Sequence, residues 1–245
     1  EDKYVSVSLP SLRIDSFWKD DLEKIQTVRK TGLTFAPEAG TQRLRDVINK
    51  GVSEDDLLRS VTDAFQSGWS GVKLYFMLGL PTETDEDLLG IAELARKVAG
   101  AYYSVPKEKR AKGLRITVSV SSFVPKPFTP FQWEPQDTAE RIMEKQRLLK
   151  DALKGIRGVD FAYHAPYTSA LEAVLARGAR RLAGVLESAY SLGARFDSWD
   201  EHFKREAYDS AFEENGLNPH CFANRRRDVN EPLPWDHIDM VVEKE

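Results

Sequence analysis

The chain reads as an α/β protein, an incomplete (β/α) barrel holding only the later strands, with a helical C-terminal extension, and three observations carry that reading. Apolar, β-branched runs alternate with helix-periodic segments from Tyr4 to Tyr163, the order that specifies parallel strands joined by right-handed crossovers. Only about five such strands can be found, against the eight of a closed barrel, so the sheet is expected to be open, partial, or completed by another segment. From about Ser169 onward the pattern turns helical and charged. The expected division is a partial barrel over residues 1–165 and the extension over 166–245.

Taken in order, residues 4–9 form an apolar, β-branched strand, and residues 15–30 a helix whose Phe17, Leu22, Ile25 and Val28 fall near helical spacing. A short strand at 33–36 follows. Ser53 with Asp56 three residues on is a capping-box variant, and Leu57, Leu58, Val61, Ala64 and Phe65 form the apolar face of the helix it opens. Residues 72–78 read as a buried strand. Thr84 with Asp87 caps the next helix, whose inner face is Leu88, Ile91, Leu94, Ala95 and Val98. A long strand at 114–124, a helix at 138–154 and a short strand at 159–163 complete the alternation, and helices are expected at 169–176, 179–192 and 200–215.

Composition narrows the function classes. With 41% hydrophobic and 30% charged residues, the 245-residue chain can bury a sizeable core, and no apolar run approaches the roughly 20 residues of a membrane span. The net charge of −4 and the short run Arg225-Arg226-Arg227 make no nucleic-acid platform of their own. A single cysteine, Cys221, excludes an internal disulfide and any multi-cysteine metal site within this chain, and points to the reducing cytoplasm. The chain opens on Glu1 almost directly before strand-like sequence, from which further sequence upstream is expected.

Ligands of parallel α/β sheets bind beyond the carboxyl ends of the strands, so the segments after each strand are the candidate sites. After the first strand, Arg13 offers a guanidinium suited to a carboxylate, in a segment that helix capping by Asp15 or Ser16 also explains. After the second, Pro37, Gly40 and Thr41 read as a turn, while Glu38 places a carboxylate where a ligand ammonium or hydroxyl can bind. The third strand runs into Gly79-Leu80-Pro81 and a capped helix, where glycine permits close backbone approach and the helix start offers free amides. The fourth ends in Val120-Ser121 and a stiff proline- and aromatic-rich loop through Trp133, which serves either as a stacking surface or as a packed lid.

In this order, "TFAPEAGTQRLRDVINKG", "VKLYFMLGLPTETDEDL" and "VSVSSFVPKPFTPFQW" resemble the radical S-adenosylmethionine (SAM) superfamily, and within it the cobalamin-binding, methylthiotransferase-like branch. The likeness continues through "SALEAVLARGARRLAGVLESAY", "LGARFDSWDEHF" and "LPWDHID". It implies a six-unit partial barrel with SAM across the strand ends, bound to a [4Fe–4S] cluster whose electron yields a 5′-deoxyadenosyl radical. Residue by residue, it implies that Arg13 and Glu38 contact SAM or substrate, that Gly79, Leu80 and Pro81 lie beside adenine, and that Val120 and Ser121 approach it.

The departure from the family is as informative. Its members hold the cluster with three cysteines spaced C-x3-C-x2-C, and that motif is absent here. The resemblance therefore implies that the first barrel half, with the cluster ligands and a cobalamin domain before it, lies upstream; the substrate, RNA or protein among the candidates, stays open. Two other readings stand beside it: a non-catalytic half-barrel scaffold that has lost its cluster, and an unrelated α/β enzyme using Glu38 and His164 as acid and base. His202 and His237 sit beside carboxylates without a second His or Cys at metal-ligand spacing, and the Trp199-Asp200 and Trp235-Asp236 pairs read as structural, the first opening a helix. An open sheet edge further predicts a partner segment or self-association.

Overall fold

A computed structural model of the chain describes residues 32–240. The strand expected at 4–9, the helix at 15–30 and Arg13 lie outside the described residues. Four strands form one parallel sheet in the order β1-β2-β3-β4: β1 is Leu33–Glu38, β2 Gly71–Leu78, β3 Arg115–Ser122 and β4 Val159–Tyr163. Between β1 and β2 lie α1 (Gln42–Val47) and α2 (Glu54–Gln66); α3 (Asp85–Ser104) links β2 to β3, and α4 (Ala139–Leu153) links β3 to β4. The helices α5 (Pro166–Arg177), α6 (Leu182–Ser191), α7 (Arg205–Glu214) and the short α8 (His220–Ala223) follow. This is the α/β, partial-barrel architecture that the alternation predicts.

Consecutive strand order has a topological consequence. When neighbouring parallel strands are also successive in sequence, right-handed crossovers place every connecting helix on the same face of the sheet. The burial pattern agrees: Leu33, Phe35, Val72, Leu74, Phe76, Leu78, Ile116 and Val118 are buried, whereas the intervening Thr34, Lys73, Tyr75, Met77 and Thr117 remain half-exposed. Pairing carries the alternation across the sheet, with Leu33 beside Val72, Thr34 beside Lys73 and Phe35 beside Leu74. The strand at 72–78, expected to be buried throughout, is thus fully buried on one side only, the side on which the described crossover helices lie.

Local chemistry explains the helices. Ser53 and Asp56 make a full capping box, with the Asp56 amide 3.1 Å from the Ser53 hydroxyl and the Ser53 amide 3.0 Å from the Asp56 carboxylate. Inside α2, Leu57, Val61, Ala64 and Phe65 are buried at helical spacing, and Phe65 meets Tyr102 of α3 edge to face at 5.3 Å between ring centres.

Several late boundaries differ from expectation. The strand expected at 114–124 stops at Ser122, three residues before Pro125 and after its pairing with β4 has ended at Val120. α5 begins at Pro166, three residues earlier than expected, since proline is well suited to a first helical turn. α7 starts only at Arg205: residues 197–202 form turns after Phe196, which sits at φ 57°, so Trp199-Asp200 does not open a helix. α8 had no periodic signal, being four residues long.

By internal contacts the chain falls into two compact units. Of the described residues, one unit contains the sheet, with 32–78, 82–121 and 145–163, and the other contains 79–81, 122–144 and 164–240. In the second unit the proline- and aromatic-rich segment is tied to the C-terminal region. The Trp235 indole donates to Gln132 Oε1 at 2.7 Å, which also accepts from the Phe128 amide at 3.2 Å, and the Gln136 amide donates to the Ala223 carbonyl at 2.9 Å. The three arginines at 225–227 are all engaged: Arg225 grips Glu231 through both nitrogens at 2.6 and 2.5 Å, Arg226 meets Glu134 at 2.5 Å, and buried Arg227 donates to the Arg177 carbonyl. Because Gln132 is buried with two donors on one oxygen, Gln132→Leu is expected to cost about 2 kcal/mol in chemical denaturation by leaving both unsatisfied. A loss under about 0.5 kcal/mol would show that other partners satisfy them.

Candidate functional site

The open face of the sheet and the carboxyl ends of its strands form the candidate site in the first unit. Thr34 on β1, Lys73, Tyr75 and Met77 on β2, and Thr117 and Ser121 on β3 are half-exposed on this face, while Ser119 between the last two is buried. Lys73 Nζ lies 4.5 Å from the centre of the Tyr75 ring, so a cation and an aromatic face meet on this surface. Sequence reasoning passed over Lys73 and Tyr75. Their signal was present in the period-two spacing, but a β-branched, aromatic run reads as buried until it is known which face the crossover helices cover.

Glu38 ends β1 in an unusual backbone state. Phe35 pairs with Leu74 while Glu38 pairs with Phe76, so three steps on β1 span two on β2, a bulge at Ala36-Pro37-Glu38. Pro37 has no amide to give to the ladder, and Glu38 takes φ 67°, the left-handed region that non-glycine residues seldom occupy. Its carboxylate is half-buried and 3.2 Å from Lys50 Nζ, so an incoming ammonium or hydroxyl would share Glu38 with an existing cation.

The turn after Glu38 is fastened to α3. A Cβ on Gly40 would fall 2.3 Å from the Asp87 carbonyl oxygen and 2.3 Å from the Ile91 amide nitrogen, so main chain packs on main chain there. Beside this contact Asp87, 2% exposed, accepts from the Thr41 hydroxyl and from Arg43, and from the Thr84 amide and hydroxyl at 2.8 and 2.9 Å. Arg43 also reaches the Thr82 carbonyl at 2.9 Å. Burial pushes the Asp87 carboxyl upward, but the hydrogen bonds from Thr41, Arg43 and Thr84 together outweigh it and hold the group at about 2. Asp87, expected only as a helix cap, therefore joins three segments around the rim. Next to it, Glu83 and Lys145 form an ion pair at 2.7 Å with both side chains almost fully buried.

Of the residues expected to face a cofactor, Glu38, Val120 and Ser121 belong to the first unit, while Gly79, Leu80 and Pro81 belong to the second. Val120 is buried and Ser121 half-exposed. Gly79 has φ 82°, and a Cβ there would come within 3.0 Å of Asp137 Oδ2 and 3.2 Å of Ile142 Cδ1; Leu80 is buried. The bare side of this glycine thus already faces protein atoms. His164 is exposed.

The three-cysteine ligand set of an iron–sulfur cluster is not in this sequence. The sequence has one cysteine, which is exposed on α8, and the described residues contain no group of three or more His, Cys, Asp or Glu side chains able to hold a metal ion. No helix among the described residues is long and apolar enough to cross a membrane.

Comparison with known proteins bears on the same region. Residues 1–95 match the Radical SAM superfamily model, a stretch that includes Glu38, Gly79-Leu80-Pro81 and Asp87 and ends within α3. The four-stranded parallel sheet with its helices is consistent with a partial (β/α) barrel, an architecture that this domain fits. The chain is also similar to the uncharacterized protein MJ0966 of Methanocaldococcus jannaschii, with 33% identity over 217 residues, covering 89% of this chain and 45% of that protein. The chain spans a little under half the length of that relative.

Proposed function

We propose that this chain is part of a radical SAM enzyme, in which it supplies the later strands of the barrel and the SAM- and substrate-facing wall. The observation that carries the reading is the match over residues 1–95 on a parallel sheet whose open face ends in a bulged, half-buried Glu38. On this reading Arg13 and Glu38 make polar contacts to SAM or substrate, Gly79, Leu80, Pro81, Val120 and Ser121 line the adenine side, and Lys73 and Tyr75 face the substrate. The cluster ligands come from outside this sequence, as its single cysteine requires. The family wording of the segments favours the cobalamin-binding, methylthiotransferase-like branch, acting on RNA or protein in the cytoplasm, with a cobalamin domain and the first barrel half as partners in the same assembly.

Glu38→Ala tests the reading in the full-length protein carrying a reconstituted cluster under anaerobic conditions. Loss of a charge-assisted contact is expected to weaken SAM binding by about 10-fold or more, measured by equilibrium dialysis, with the circular dichroism spectrum unchanged. Unchanged SAM affinity would remove Glu38 from the pocket. A second reading is a non-catalytic half-barrel scaffold that has lost its cluster. Failure of the full-length protein to bind iron or cleave SAM would favour that scaffold. On either reading the open sheet edge is expected to produce self-association or to take a partner segment, and a monomer across a wide concentration range in size-exclusion chromatography would refute self-association.

A further inference from the structure

The helical second unit contains a pocket of about 120 Å³ that none of the preceding argument uses. Its floor is apolar, formed by Leu171 and Val174 of α5 and Phe212 of α7, the last two buried. Its rim is polar, with Glu140 at the start of α4, Arg205 and Asp209 on α7, and His220 on α8. The volume is close to that of apolar cavities that take up benzene-sized molecules, roughly 150 Å³. A ligand of about six heavy atoms therefore fits.

The rim decides which end such a ligand presents. Arg205 is already committed: its guanidinium lies 3.7 Å from the centre of the Tyr167 ring and its Nε is 3.2 Å from Asp209 Oδ2. Glu140 is exposed, and the causes acting on its carboxyl keep it below the ordinary carboxylate range. Its own backbone amide leads these, opposed by desolvation and reinforced by Thr138, His220 and Arg205. His220 Nδ1 is 2.7 Å from Asn224 Oδ1, and the Asn224 amide nitrogen donates to the Gln136 carbonyl at 2.9 Å, which fixes Oδ1 as the acceptor. The proton of the neutral imidazole is thereby placed on Nδ1, leaving Nε2 as an acceptor. Beside the imidazole the rim carries two carboxylates, Glu140 and Asp209, against the one guanidinium of Arg205, so it favours a hydrogen-bond donor of positive charge over an anion.

We propose that this pocket binds a small primary amine, its branched aliphatic or aromatic body on Leu171, Val174 and Phe212 and its ammonium at the Glu140 and His220 side of the rim. The site is independent of the sheet rim and of the SAM-dependent function proposed for it.

Saturation-transfer NMR and calorimetric titration of the full chain with isopentylamine, isopentanol and isovalerate, which share one branched body, test this directly. Isopentylamine is expected to bind saturably, isopentanol at least about fivefold more weakly, and isovalerate not measurably. Glu140→Gln, at an exposed position, should weaken the amine at least fivefold while leaving the thermal melt in place. Ala170→Phe, which fills the pocket, should abolish binding of all three probes. The proposal is overturned if no probe saturates, if isovalerate binds as well as the amine, or if Glu140→Gln leaves the amine affinity unchanged.

Discussion

Gly40→Ala is expected to destabilise the protein by about 3 kcal/mol or more, at or beyond the upper end of what overpacking usually costs. The added methyl would sit 2.3 Å from both the Asp87 carbonyl and the Ile91 amide, and neither can rotate away, because both are main chain of α3. Relief requires the turn after β1 and α3 to separate, which would also pull Thr41 and Arg43 off Asp87. Gly51→Ala is the control: a Cβ there meets nothing within 4 Å, and its effect should stay within about 0.5 kcal/mol. Gly90→Ala should be milder than Gly40→Ala, since the nearest atom is the Thr41 methyl at 2.8 Å and the Gly40 backbone is 3.1 Å away. Urea titration followed by circular dichroism ranks the three; equal losses at Gly40 and Gly51 would show that the close approach carries no energetic weight.

Asp87→Ala should cost about 2–3 kcal/mol, because it leaves the buried ends of three hydroxyl or amide donors, and one contact of the half-exposed Arg43 guanidinium, without their acceptor. The same carboxylate predicts a pH dependence. Its folded value is about 2 against an ordinary 3.8, so the folded state favours the charged form. The stabilisation is fully present above a pH of about 4 and is lost as the pH falls through about 2, a change of about 2 kcal/mol. Asp87→Asn keeps the shape but not the charge. Its stability should therefore fall less steeply than wild type in that window when urea midpoints are compared between pH 5 and 2. Identical slopes in the two proteins would mean that the acid sensitivity arises at other carboxylates.

Both variants bear on function, because the turn they disturb follows Glu38 directly. Sequence reasoning singled out that turn for its proline, glycine and carboxylate, and the structure gives those residues distinct tasks. Pro37 marks the bulge, Gly40 and Thr41 fasten the turn to α3, and Glu38 is left at the strand end facing Lys50.

What was legible in the residues is what short-range spacing encodes. The alternation of period-two and helix-period segments predicted a parallel α/β sheet, Ser53 with Asp56 and Thr84 with Asp87 marked two helix starts, and the strand at 159–163 was placed residue for residue. Each of those signals lies within one turn or one strand, where backbone geometry alone brings the groups together. Tertiary structure alone decided the rest. The approach of Gly40 to α3, the reach of Thr41 and Arg43 to Asp87 across more than forty residues, the pairing of Gln132 with Trp235 across 103, and the exposure of Lys73 and Tyr75 all depend on which elements pack together. No local period records such contacts, because the free energy that selects them comes from burying surfaces distant in sequence against one another.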